Sequence, residues 1–76
     1  MKKLKTYKCE VQYFVGSLSY GIRFVKITAY SKAEALRIAA RETDRFKRCK
    51  IEQETDAAPD AVPGTIERII ERFSIS

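Results

Sequence analysis

Lys5-Thr-Tyr-Lys-Cys-Glu-Val-Gln-Tyr-Phe-Val15 is the stretch that decides the fold. Tyr7, Cys9, Val11, Tyr13 and Val15 take alternate positions, with Thr6, Lys8, Glu10, Gln12 and Phe14 between them. Successive side chains of a strand point to opposite faces, so this period of two marks a strand with one buried face. Gly16-Ser-Leu-Ser-Tyr-Gly21 follows, with the composition of a hairpin loop. Residues 22–30 are rich in β-branched and aromatic side chains and read as the returning strand. Placing Tyr13 opposite Val25, Val11 opposite Ile27 and Cys9 opposite Ala29 gathers the apolar residues on one face. The same register sets Phe14 against Phe24, Gln12 against Lys26 and Lys8 against Tyr30 on the other. A slip of one residue would put Val11 against Lys26, which favours the first pairing.

Downstream of the hairpin, Ser31-Lys-Ala-Glu34 has the pattern of a capping box, in which the serine hydroxyl accepts from the amide three residues on. The helix it opens is expected to run to about Phe46, with Leu36, Ala39, Ala40 and Thr43 as its core stripe and Ala35 and Ile38 on the flank. Residues 47–55 read as a third strand, with Cys49 and Ile51 inward and Arg48, Lys50 and Glu52 outward. Two prolines, a glycine and two acids make residues 56–64 an acidic loop. In residues 65–76, Ile66, Ile69, Ile70 and Phe73 fall at i, i+3, i+4 and i+7, the spacing of a short amphipathic helix. The alternation of Phe73-Ser-Ile-Ser76 offers an edge strand as the other reading. The expectation is one α+β domain over residues 1–76. Its core, residues 5–55, is a three-stranded antiparallel sheet, β-β-α-β in the order 2-1-3. One helix packs on that sheet and a second lies at the C-terminus.

The chain has 76 residues, 15 Lys and Arg, 10 Asp and Glu, and neither His nor Trp. Without histidine the common triads, general bases and zinc sites lose their usual members. The carboxylates are scattered among cations, and Gly16, Gly21 and Gly64 form no phosphate-binding loop. These features predict a protein that is not an enzyme and uses no cofactor or metal. Cys9 and Cys49 lack CxxC spacing and are expected to be free, buried thiols. Spacing leaves open whether they meet. Met1-Lys-Lys-Leu-Lys is followed by no apolar run of signal-peptide type, and nothing approaches the ~20 apolar residues of a membrane span. A cytoplasmic protein, monomer or homodimer, is the expectation.

Charge is unevenly placed. Residues 1–50 carry a net +9 and residues 51–76 a net −4, which together give the formal +5. A basic body of this kind suits an anionic partner, nucleic acid or an acidic protein surface. Arg37, Arg41 and Arg45 are spaced i, i+4, i+8 as a stripe on the expected helix, and with Arg48 and Lys50 they form the first candidate partner-binding site. The second is the sheet face carrying Lys8, Phe14, Phe24, Lys26 and Tyr30, since aromatics among cations provide stacking surfaces for single-stranded nucleic acid.

Ile27-Thr-Ala-Tyr-Ser-Lys-Ala-Glu-Ala-Leu-Arg-Ile-Ala-Ala-Arg41 resembles a pattern in small phage and mobile-element proteins. In these a strand ends in Ala, a Ser caps, and a helix opens with Glu-Ala. Some anti-CRISPR proteins are similar in size and in this strand–helix–strand core, over residues 11–53. The resemblance implies a small protein that docks on a larger protein or ribonucleoprotein complex and blocks it, and it carries over no functional residue. The alternative is a module that binds nucleic acid directly.

Overall fold

The structure, a computed structural model, describes residues 3–69. Its elements are β1 (Lys5–Val15), β2 (Ser19–Ala29), α1 (Lys32–Glu42), β3 (Phe46–Asp56) and β4 (Ile66–Arg68). The strands form one antiparallel sheet in the order β3-β1-β2-β4, with α1 on one face. The three-stranded sheet expected from the sequence is therefore corrected to four strands within a broadly α+β architecture.

The fourth strand replaces the first part of the expected C-terminal helix. Ile66 lies opposite Ile27 and Arg68 opposite Val25, and the Ile69 amide donates to the Phe24 carbonyl at 2.8 Å. A helix as short as the expected one is marginal alone. The outer edge of β2, in contrast, offers unpaired backbone groups to a Thr65-Ile66 dipeptide that suits a strand. Ile66 packs against the core from there. Ile70 and Phe73, the other half of the expected apolar stripe, lie outside the described residues.

The hairpin is longer and tighter than expected. Val15 faces Ser19 across a three-residue loop in which Gly16 has φ +78, a conformation that glycine adopts without strain. Tyr13 lies opposite Gly21 rather than Val25, Cys9 opposite Val25 and Tyr7 opposite Ile27. This is a slip of four from the expected register. An even slip keeps every side chain on its expected face, and the shorter loop lets Tyr20 and Ile22 join the ladder. The Tyr13 ring spreads across Gly21: a Cβ there would lie 2.6 Å from it, so a side chain at this position would displace the ring. The Arg23 guanidinium sits over the same ring, 4.9 Å from its centroid.

The core is one layer between sheet and helix. Tyr7, Cys9, Val11, Val25, Ile27 and Ala29 meet Ala35, Ile38 and Ala39, with Phe46, Cys49, Ile51 and Ile66 packed around them. Ser31 caps the helix, its hydroxyl accepting from the Glu34 amide at 3.2 Å. The Glu34 carboxylate accepts in turn from the Tyr30 amide. The expected core stripe is rotated: Leu36 is 39% exposed and Ala40 is exposed, whereas Ala35 and Ala39 are fully buried. Small side chains let the helix axis approach the sheet, and Leu36 would hold it away. The helix ends at Glu42, with Thr43 as C-cap, and Phe46 starts β3 instead of closing the helix.

Tyr7 is the largest fully buried side chain. Burial, aided by a hydrogen bond to Glu54, pushes its phenol above the ordinary value of 10.0. The folded state thus holds the Tyr7 proton more tightly than the unfolded chain does. This contribution to stability is complete below about pH 10 and is lost as pH rises through the folded pKa.

Two outcomes follow for stability. Ile38→Ala should cost about 2–5 kcal/mol and Ser31→Ala about 1 kcal/mol, while Leu36→Ala should stay near the ±0.5 kcal/mol of exposed sites. Denaturant midpoints check this, and a Leu36 cost equal to that of Ile38 would refute the helix orientation. In alkaline titrations the wild type should lose stability more steeply above pH 10 than Tyr7→Phe. Parallel curves would show that Tyr7 ionisation is not coupled to unfolding.

Candidate functional site

Positions in β1 and β2 that alternate with the core side chains face away from α1. Across the hairpin they form the pairs Phe14–Tyr20, Gln12–Ile22, Glu10–Phe24, Lys8–Lys26 and Thr6–Thr28. On the β3 side, Arg48 lies beside Gln12 and Lys50 beside Glu10. A register shift between Gln12 and Tyr13 gives β3 an extra residue at Lys47. The Lys47 ammonium reaches the Tyr20 ring, 4.8 Å from its centroid.

The result is an open face with an apolar line down its β1–β2 seam and cations along it. Phe14 is 43% exposed, Tyr20 54% and Ile22 49%, and Phe24 is half-buried. Rows of side chains on one face repeat every second residue, about 6.6–6.8 Å. Lys8, Lys26, Lys47, Arg48 and Lys50 flank the line, against the carboxylates of Glu10 and Glu67.

At its far end the face runs under the 57–65 loop. The Gly64 amide donates to the Thr28 carbonyl at 2.7 Å and the Thr28 amide to the Thr65 carbonyl at 2.9 Å. Thr65 closes its own turn, its hydroxyl donating to the Val62 carbonyl at 2.7 Å. Beneath the loop is a cleft of about 420 Å³, lined by Thr6, Thr28, Thr65, Lys26, Asp60 and Glu67 among others. Its lining is of mixed charge and mixed polarity, with Ala58, Ala61 and Val62 among the polar side chains, and it ends the apolar line.

The two sets of site residues read from the sequence are distributed as follows. Arg37 and Arg41 are exposed on α1, on the other side of the molecule from the open face. Arg41 pairs with Glu42 at 3.3 Å, with both side chains solvated. Arg45 is not on the helix. It has φ +57 in the turn before β3, and its carbonyl accepts from the Phe14 amide at 2.8 Å. The expected i, i+4, i+8 stripe is thus broken by the early end of the helix. Arg48 and Lys50 belong with Lys8, Phe14, Phe24 and Lys26 on the open face. Tyr30 lies beyond the end of β2 at the helix entrance, 40% exposed. Tyr20, Ile22 and Lys47 were missed, because the longer expected loop absorbed the first, the register displaced the second and the bulge redirected the third.

The cysteines meet under the sheet. Cys9 is fully buried and Cys49 half-buried, and both are free. A hydrogen bond to Cys49 and burial raise the Cys9 thiol far above its ordinary range, while the same bond lowers Cys49. Cys9 therefore keeps the proton of the pair. Its sulfur also lies 3.5 Å from the Tyr7 carbonyl.

Among the described residues no three His, Cys, Asp or Glu side chains are grouped to hold a metal ion, and no helix is long and apolar enough to cross a membrane. Comparison with known protein families, with curated protein sequences and with solved structures gives no match to this chain.

Proposed function

We propose that this chain is a non-enzymatic binding protein whose open sheet face holds single-stranded nucleic acid, free or within a ribonucleoprotein. The observation that carries the proposal is the exposed line of Phe14, Tyr20 and Ile22, continued by Phe24, beside Lys47, Arg48 and Lys50. Every base has an apolar π-face, so rings set along a strand accept bases of any sequence, and the cations beside them neutralise the backbone. Stacking of this kind requires rings in reach of solvent, and Phe14 and Tyr20 meet that requirement at the hairpin end. The excess of positive charge favours the encounter.

Docking on a protein complex, as an anti-CRISPR-like inhibitor would dock, is the competing proposal. It draws on Arg37 and Arg41, exposed on the side of the molecule away from the aromatic line.

Titration with single-stranded DNA and RNA oligonucleotides at physiological salt separates the two. The proposed site should give a Kd tighter than about 10⁻⁴ M, the weak end of non-specific binding. Phe14→Ala and Tyr20→Ala should each cost about 1–3 kcal/mol of binding, and Lys50→Ala should lower the slope of log affinity against log salt by about 1. Reversing Arg37 and Arg41 should leave these values unchanged. Binding weaker than that limit, or binding lost only on the helix-side reversal, would overturn the sheet-face proposal.

A further inference from the structure

We infer that Cys9 and Cys49 form a reversible thiol–disulfide switch beneath the open face, closed by a hydroperoxide and opened by a dithiol, which moves Arg48 and Lys50. As regulation of the proposed binding face, it rests on that reading; the closure itself does not.

The register supplies the geometry. Cys9 lies opposite Ile51 and Cys49 opposite Val11, so the two thiols are diagonal neighbours on the core face of adjacent strands. Both belong to the packing under α1. Cα atoms of such diagonal pairs are about 7–8 Å apart, slightly beyond the ~7 Å that a disulfide spans without backbone movement. Closing the bond must therefore draw β3 along β1.

The strand is built to permit that movement. The register shifts between Lys8 and Cys9 and again between Gln12 and Tyr13, so the stretch of β3 from Arg48 to Ile51 is bracketed by two irregularities. A bulge absorbs a local change of register without unpairing the strand beyond it. Arg48 and Lys50 flank Cys49 in the chain and point to the opposite face, so they travel with it. A bond closed against strain is more easily reduced, which is the property of a switch and not of a permanent staple.

Access and proton placement give the order of steps. Half-buried Cys49 is the more accessible thiol and the one of the pair whose proton is the more easily lost, whereas Cys9 is sealed from solvent. The Cys49 sulfur attacks the peroxide as its own proton leaves through water, an S–O bond forming as the O–O bond breaks, and the leaving alkoxide takes up that proton. The resulting sulfenic acid is attacked by the Cys9 sulfur. The S–S bond forms, and hydroxide leaves with the Cys9 proton as water. Two thiols and one hydroperoxide thus give one disulfide, one alcohol and one water.

The test treats the full chain with hydrogen peroxide and reads intact mass after thiol alkylation. The switch requires loss of two hydrogens, no retained oxygen, no alkylated thiol, and full reversal by dithiothreitol. Cys9→Ala should instead retain oxygen on Cys49, and Cys49→Ser should leave Cys9 reduced. Backbone amide resonances of the oxidised wild type should shift most over residues 47–51. Absence of the disulfide would overturn the inference, as would a disulfide that leaves those resonances in place. Titration of both forms with oligo-dT reads the coupling: oxidation should lower the salt slope by about 1–2, the share of the two displaced cations. Equal binding by the two forms would overturn the regulatory role, whereas no binding by either form, with the disulfide made and the resonances shifted, would overturn the function of the face alone.

Discussion

Close contact between one short helix and a long sheet is the constraint on which the rest of the molecule depends. Ala29, Ala35 and Ala39 are fully buried where α1 meets the sheet, and their small side chains bring the two backbones together. Eleven helical residues rise only about 16 Å, whereas the eleven residues of β1 extend about 36 Å. The helix therefore covers about half the length of the hairpin. Beyond it the core face is closed by its own side chains, Tyr13 lying across Gly21 with Arg23 over the ring. Phe14 and Tyr20 lie at the same end on the opposite face, away from α1, and both are exposed there.

How much of this was legible in the sequence depended on the range of the interaction involved. The alternation of β1 named the faces, and an even register slip preserved them, so Lys8, Phe14, Phe24, Lys26, Arg48 and Lys50 share the expected face. Ser31 and Glu34 marked the helix start because capping is local. The helix end was not marked: no glycine follows it, and Arg45 supplies the left-handed residue in the turn. Hydrophobicity alone favours Leu36 over Ala35 for the core, yet closeness of approach decides the opposite. Apart from the β-branched pair Thr65-Ile66, β4 has no local signature. Its three residues are strand because β2 has an edge to pair with, and the amphipathic spacing of Ile66 and Ile69 competes poorly with that.

The two outer edges are managed differently. β4 covers the edge of β2 at Val25–Ile27. β3 carries two register irregularities along β1 and many charged and polar residues, Lys47, Arg48, Lys50 and Glu52 to Asp56, on a strand that pairs on its other side with no strand among the described residues. Bulges and charges are both means of discouraging edge-to-edge pairing. In this chain the bulges have a second effect, since the one at Lys47 turns its ammonium toward Tyr20. An irregularity that protects an edge also equips a face.

Exposed apolar side chains occur at the hairpin tip, on α1 and in the 57–65 loop, at Leu18, Leu36 and Val62, as well as on the open face. The helical side has a capped helix, small residues at the close approach, solvated arginines outside and one exposed leucine, Leu36. Opposite it, Phe14, Tyr20 and Ile22 are exposed together, and Lys8 stands directly across from Lys26. Like charges directly opposite one another in a sheet oppose the pairing, though the carboxylate of Glu67 opposite Lys26 offsets part of the cost. Exposed rings contribute little to folding and invite association. A sequence selected only to fold would have placed polar residues at these positions, as it did at Glu10 and Gln12. Proteins break local rules chiefly where function requires it, and here the breaks are of two kinds, apolar and cationic, on one surface. A polyanion that carries apolar rings along its backbone, the partner proposed above, would make both favourable at once.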